Sequence, residues 1–239
     1  HFHFIGVGGI GMSAVAMGLL KKGYSVSGSD LVKNNETNKL EHLGAIIFTS
    51  QIKQNIEFVA SKFNNKLINF VVSSAIKPEN EELSYCKKNN LTIKHRSEIL
   101  AMLMQSYTAL AVAGSHGKTS TSTFLSTLLE LCTQNSSSIT GGIIPIYNSN
   151  CHLENTKLLV AEVDESDGTI SKYKSDIVSI NGSIIATSPS RTGSLVLAAP
   201  WAISEVPNPA SFEKSALLTP AIITDPTAPP ITASPVNAS

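Results

Sequence analysis

Twice in this chain a glycine-rich loop separates an apolar run from a helix-like segment, at Gly6-Val7-Gly8-Gly9-Ile10-Gly11 and at Gly114-Ser115-His116-Gly117-Lys118-Thr119. A strand that turns through glycine into a helix is the repeating unit of an open α/β sheet, and it directs ligand chemistry to the carboxyl ends of the strands. The sequence between the loops agrees. Strand-like runs fall at 4–7, 24–27, 45–48, 69–72, 91–93, 108–113, 157–163 and 176–180, with helix-like segments at 10–22, 36–43, 79–89, 97–105 and 118–132. This alternation predicts an α/β protein whose mainly parallel sheet is covered on both faces. The first twenty residues lack Lys, Arg, Asp and Glu and superficially resemble a secretory or membrane segment. Four interrupting glycines, no basic stretch ahead of them and a closing Lys21-Lys22-Gly23 read instead as loop and helix.

With 239 residues, 42% of them hydrophobic, the chain has material for one large domain or two small ones. Eighteen basic residues balance eighteen acidic ones, without like-charge runs, so no broad face for nucleic acid is expected and any phosphate must be gripped locally. Cys86, Cys132 and Cys151 are odd in number and never form a CxxC pair, which argues against a disulfide framework or zinc site and fits a reducing cytoplasm. Composition breaks near residue 182. Nine of the eleven prolines lie beyond it, with only Arg191, Glu205, Glu213, Lys214 and Asp225 as charged residues, so 183–239 is expected to be an irregular tail.

The first loop has G-x-G-x-x-G-like spacing after a strand and before a helix, with Asp30 nineteen residues beyond Gly11 at the end of the second strand. Glycines let backbone N–H groups approach a diphosphate, and an acid there can accept bonds from ribose hydroxyls. A nucleotide-diphosphate or dinucleotide site follows, unless the glycines serve only close helix packing. Ser73-Ser74 ends another apolar strand and is either a phosphate or sugar contact or a plain turn. His95-Arg96 is either a cationic pair facing an anion or a surface loop.

The second loop carries the Gly-Lys-Thr core of a P-loop. Gly114, Ser115, His116, Gly117 and Ser120 would cradle phosphate through the backbone, Lys118 would neutralise the terminal phosphates, and the Thr119 hydroxyl would meet Mg2+. Val112 stands where the strict eight-residue pattern has glycine, so the loop is a shortened variant. Glu162-Val163-Asp164-Glu165-Ser166-Asp167 follows an apolar run. Glu162 and Asp164 share one strand face and offer Mg2+ hard oxygen ligands; the alternative is a solvated acidic turn.

Taken together, Phe4 to Ser13, Gly28-Ser29-Asp30, Ser73-Ser74-Ala75, His95-Arg96-Ser97-Glu98, Gly114 to Thr119 and Ala161 to Asp167 occur in the order found in the Mur ligases, which the chain resembles over residues 1 to about 181. Met12-Ser13 and His116 are most similar to the member that adds the first amino acid. The resemblance implies a Rossmann-like unit at 1–106 that binds a UDP-sugar rather than NAD, part of an ATP-binding central domain at 107–182, and a foreign or frame-shifted tail at 183–239. It implies cytoplasmic peptidoglycan synthesis, in which ATP and Mg2+ drive the joining of L-alanine to UDP-N-acetylmuramate through an acyl phosphate. It assigns Gly8, Gly9, Ile10, Gly11, Met12, Ser13, Asp30, Ser73, Ser74, His95 and Arg96 to substrate, Lys118 and Glu162 to catalysis, and Thr119 and Glu162 to metal. In the family an Asn-x-Glu-x-Asp-His stretch follows the strand at 176–180, whereas this chain reads Asn181-Gly182-Ser183-Ile184-Ile185-Ala186-Thr187. A nucleotide- and UDP-sugar-binding segment without turnover therefore stands as an alternative, and an NAD-dependent oxidoreductase explains only the first loop and Asp30.

Overall fold

The computed structural model describes residues 1–63, 67–164 and 173, together with the backbone of strands at 177–181 and 195–198. Residues His1–Glu205 form one compact unit, and Val206–Ser239, the second, lies outside the described residues. Two sheets organise the first unit. The first contains β1 (Phe2–Ile5), β2 (Val26–Ser29), β3 (Ile46–Phe48), β4 (Asn69–Val72) and β5 (Ile93–His95), in the order β3-β2-β1-β4-β5 with every pairing parallel. Helices α1 (Ile10–Lys21), α2 (Asn35–His42), α3 (Lys53–Lys62), α4 (Glu81–Lys88) and α5 (Arg96–Met104) intervene between and follow these strands.

The second sheet contains β6 (Thr108–Gly114), β7 (Ser137–Ile144), β8 (Ser149–His152), β9 (Leu158–Glu162), β10 (Ile177–Asn181) and β11 (Leu195–Ala198), in the order β11-β10-β6-β9-β7-β8. Its pairings are parallel except β7 with β8, an antiparallel hairpin whose register shifts between Ile139 and Ile144. Helix α6 (Lys118–Leu131) follows β6 and packs on β6, β7 and β9. The α/β expectation holds, with one antiparallel strand added.

One hydrophobic core serves both sheets. Every residue of α1 from Met12 to Leu19 is buried, because α1 lies against β2 and also against β7 and β8. The core runs from Phe2, Phe4 and Val26 through Met12, Val15 and Leu19 to Ile139, Cys151 and Leu159. A Cβ on Gly18 would lie 3.1 Å from Leu103 of α5 and 3.4 Å from Ile139 of β7. The uncharged N-terminal run is thus β1, the first loop and a helix whose middle is buried on all sides because protein surrounds it.

Several elements differ from the expectations for physical reasons. Two strands begin late, at Val26 and Ile93, because the Tyr24 amide donates to Leu19 O and the Leu91 amide to Cys86 O, finishing the preceding helices. Helix α3 was not anticipated; it buries only Asn55, Ile56 and Val59, too thin a stripe for a clear helical period. Strands β7 and β8 were not anticipated either, since Ser137-Ser138-Ile139-Thr140-Gly141-Gly142 has turn-like composition. Their polar groups are buried with local partners, such as Ser138 Oγ donating to Ser126 Oγ at 2.8 Å. Within the proline-rich stretch, Leu195–Ala198 pairs in parallel with β10, as a short unbroken apolar run can. The rest of 182–239 lies outside the described residues.

Candidate functional site

Helix α6 begins where β6 ends, and the connecting turn needs glycine at one position in particular: Gly117, the residue preceding the helix, has φ of +71°. That left-handed conformation costs a side-chain-bearing residue about 1–2 kcal/mol. Gly114 is buried, whereas Ser115, His116, Gly117 and Ser120 face solvent. The Ser115 hydroxyl and His116 Nδ1 are 3.0 Å apart. Lys118 is half-buried and folds over the loop, its Nζ donating to Gly114 O at 2.7 Å.

Strand β9 runs parallel beside β6, with Val112 opposite Glu162, so Glu162 and the loop emerge at the same, carboxyl end of the sheet. The Thr119 hydroxyl lies 3.1 Å from both Glu162 carboxylate oxygens, and the Gly141 amide donates to Oε2 at 2.9 Å. A Cβ on Gly141 would sit 2.7 Å from Glu162 Oε1, so this carboxylate occupies a cradle that only glycine leaves open. A hydroxyl and a carboxylate, both hard oxygen donors at the mouth of a phosphate-type loop, fit Mg2+, which keeps much of its remaining shell for phosphate and water. Among the described residues no cluster of three or more His, Cys, Asp or Glu side chains could hold a metal by itself.

The first loop meets this arrangement from the other side. Asp30 does not stand free at the strand end: its Oδ2 accepts from the Gly8 amide at 2.8 Å and its Oδ1 from the Val32 amide at 3.1 Å. Asn34 Nδ2 donates to Gly8 O at 3.0 Å, so Asp30 and Asn34 together hold the loop. Gly9 and Ile10 are exposed and Gly11 half-buried, while Gly8, Met12 and Ser13 are buried. Ser13 donates to Ile10 O at 3.0 Å and accepts from Asn150 of β8 at 2.9 Å, which puts it in the contact between sheets rather than on the loop surface. Ser73 and Ser74 form a turn closed by the Ile76 amide donating to Ser73 O at 3.1 Å, beside the first loop at Gly6. Ser73 is half-buried and Ser74 exposed.

His95 and Arg96 separate in role. His95 caps α5, its Nδ1 accepting from the Ser97 amide at 3.3 Å while Glu98 completes the reciprocal box. Arg96 reaches across to Asp164, NH2 to Oδ2 at 3.2 Å, with the arginine side chain 18% exposed. Its guanidinium lies directly over the first loop, where a Cβ on Gly11 would meet it at 2.5 Å. Gly11, Arg96, Lys118, Gly141, Glu162 and Asp164 line one cleft. The structure thus brings Gly11, Arg96, Lys118 and Glu162 together and leaves Asp30, Ser73 and Ser74 outside that lining. Gly141 and Asn150 escaped the sequence reading. The Thr-Gly-Gly run at 140–142 was the available signal for Gly141, and nothing local marks Asn150.

A family model described as the Mur ligase family catalytic domain matches residues 1–108. A UDP-N-acetylmuramate–L-alanine ligase from Prochlorococcus marinus subsp. pastoris is 76% identical over 181 residues, covering 76% of this chain and 38% of that protein. The chain belongs to the Mur ligase family. A Synechococcus ligase of the same name is 47% identical over 178 residues, 74% of this chain and 36% of its own length. Among solved Mur ligase structures, the UDP-N-acetylmuramate–alanine ligase of Thermotoga maritima superposes with a TM-score of 0.65 at 26% identity, over 75% of this chain and 40% of that one. The UDP-N-acetylmuramate:L-alanyl-gamma-D-glutamyl-meso-diaminopimelate ligase of Neisseria meningitides shares the fold, with a TM-score of 0.67 at 22% identity over 75% of this chain and 59% of that one. The chain spans about 38% of the length of the most similar curated relative named here. Among the described residues no helix is long and apolar enough to cross a membrane.

Proposed function

We propose that residues 1–181 form the substrate- and nucleotide-binding part of an ATP-dependent ligase that joins L-alanine to UDP-N-acetylmuramate in peptidoglycan synthesis. The observation that carries the reading is the single cleft onto which both glycine loops open, lined by Gly11 and Arg96 from one side and Lys118, Glu162 and Asp164 from the other. A UDP-sugar carboxylate held from the first loop would face the terminal phosphate of ATP held on the second. The 76% identity to a ligase of that name supports this choice of substrates.

In this reading the amides of 114–117 and the start of α6 hold the phosphates, and Lys118 leaves its contact with Gly114 O to stabilise charge on the phosphoryl group in transit. Thr119 and Glu162 would hold Mg2+, which neutralises phosphate charge when bound. Gly8, Gly9, Ile10 and Gly11 would approach the diphosphate, with Ser73, Ser74 and His95 around the UDP-sugar. Asp30, Met12 and Ser13 act by shaping the loop and its helix. Attack of the substrate carboxylate on the γ-phosphorus expels ADP and forms an acyl phosphate; the alanine amine then displaces phosphate. Positioning and electrostatics supply most of the rate. The nucleotide substrates put the reaction in the cytoplasm.

A second reading, binding of both ligands without turnover, is favoured by Asn181-Gly182-Ser183-Ile184-Ile185-Ala186-Thr187 standing where the family has Asn-x-Glu-x-Asp-His. Calorimetric titration with UDP-N-acetylmuramate and then Mg-ATP, followed by a phosphate-release assay with L-alanine, tests both. Binding of each ligand is expected. Alanine-dependent phosphate release would select the first reading for the isolated chain, and its absence the second. Tight NADH binding without either ligand would overturn both.

A further inference from the structure

One carboxylate faces two cations from different helices. Asp164 Oδ2 accepts from Arg96 on α5 at 3.2 Å, and Asp164 Oδ1 lies 3.8 Å from Lys118 Nζ on α6. All three side chains are between 18% and 32% exposed, so their mutual attraction is only partly screened. Arg96 also covers Gly11 of the first loop, and Lys118 belongs to the second. We propose that Asp164 is a positioning residue that divides its charge between Arg96 and Lys118. Arg96 thereby keeps Lys118 available to an anion in the cleft and ties the state of one glycine loop to the other. This rests on the nucleotide reading only in taking the anion to be a phosphate of Mg-ATP.

The sign of the effect follows from the charges. When an anion engages Lys118, Asp164 gives a larger share of its charge to Arg96, which covers Gly11. Without Arg96, Asp164 competes with the anion for Lys118. Titration of the full chain with Mg-ATP is therefore expected to give about tenfold weaker binding for Arg96→Gln and binding at least as tight as the parent for Asp164→Asn. The double variant is expected to return to the Asp164→Asn value, and Arg96→Lys, which keeps the charge, to stay within about threefold of the parent. A purely structural pair would lose affinity in both single variants and would not recover in the double one. A double variant no tighter than Arg96→Gln, or an Arg96→Gln protein equal to the parent, overturns the proposal.

A readout without nucleotide keeps the two ideas separable. Acylation of Lys118 by acetic anhydride, followed by peptide mass spectrometry, should slow in Arg96→Gln and quicken in Asp164→Asn. Equal rates in the parent, Arg96→Gln and Asp164→Asn overturn the division of charge. Rates that differ between variants in the stated directions, with a parent that binds no Mg-ATP, support the division and refute the nucleotide reading.

Discussion

Replacing Glu82 by alanine should destabilise the unit that carries the first glycine loop, although the residue is far from the loop in sequence. Its side chain on α4 is completely buried. One carboxyl oxygen accepts a short hydrogen bond from Ser29 Oγ, the other accepts from Asn55 Nδ2 at 2.7 Å, and His3 Nε2 lies 3.8 Å away. Leaving a buried donor without its acceptor costs about 1–3 kcal/mol. Ser29 Oγ would lose its acceptor outright, whereas Asn55 keeps its bond to Ser50 O at 2.7 Å. Adding the cavity left by the missing side chain brings the expected loss to about 3–5 kcal/mol. For a chain of this size each kcal/mol lowers the melting temperature by about 2–4 °C, so thermal unfolding followed by circular dichroism should show a fall of roughly 10 °C. The damage should reach the ligand site, because Ser29 O accepts from the Gly6 and Val7 amides at 2.8 and 3.0 Å and so anchors the loop's first turn. A melting temperature within 2 °C of the parent, with unchanged UDP-N-acetylmuramate affinity, would refute this account of the buried network.

Three further outcomes follow from packing and burial. Gly141→Ala should displace the Glu162 carboxylate, since the new Cβ would lie 2.7 Å from Oε1; Mg2+ titration in the presence of ATP should show at least tenfold weaker metal dependence at little cost in stability. Burial pushes the thiols of Cys86 and Cys151 up to about 12, while Cys132 is exposed, so a thiol reagent at mild alkaline pH should label Cys132 rapidly and the other two only on unfolding. Because those two thiols ionise near 9 when unfolded, the native state holds more protons above that pH, and stability should fall between about pH 9 and 12 in denaturant titrations.

The two loops were legible because each is written in a few consecutive residues: glycine, lysine and hydroxyl at fixed offsets between an apolar strand and a helix. The family resemblance rests on the same stretches. What the sequence left open is how the loops meet. Arg96 read equally well as surface or site, and only the approach of α5 to β9 brings it to Asp164. Asp30 reads as a ligand for sugar hydroxyls, and its oxygens also accept from backbone amides at Gly8 and Val32, a local contact that period-based reading does not register. Strands β7 and β8 were hidden because the buried hydroxyls of Ser137, Ser138 and Thr140 and the Asn150 amide nitrogen find partners nearby, and strand preference reflects those surroundings more than composition.

Helix α1 has a consequence for how the molecule can be divided. Its residues from Met12 to Leu19 supply the inner wall of two sheets at once. A protein trimmed to residues 1–106 would keep the first sheet intact but strip β7 and β8 from α1, baring a band of small and apolar side chains around Gly18. Such a piece would be expected to self-associate rather than behave as a free-standing binding module. The seam between the two ligand sites is therefore a shared inner layer, and loosening by one occupant should be felt by the other.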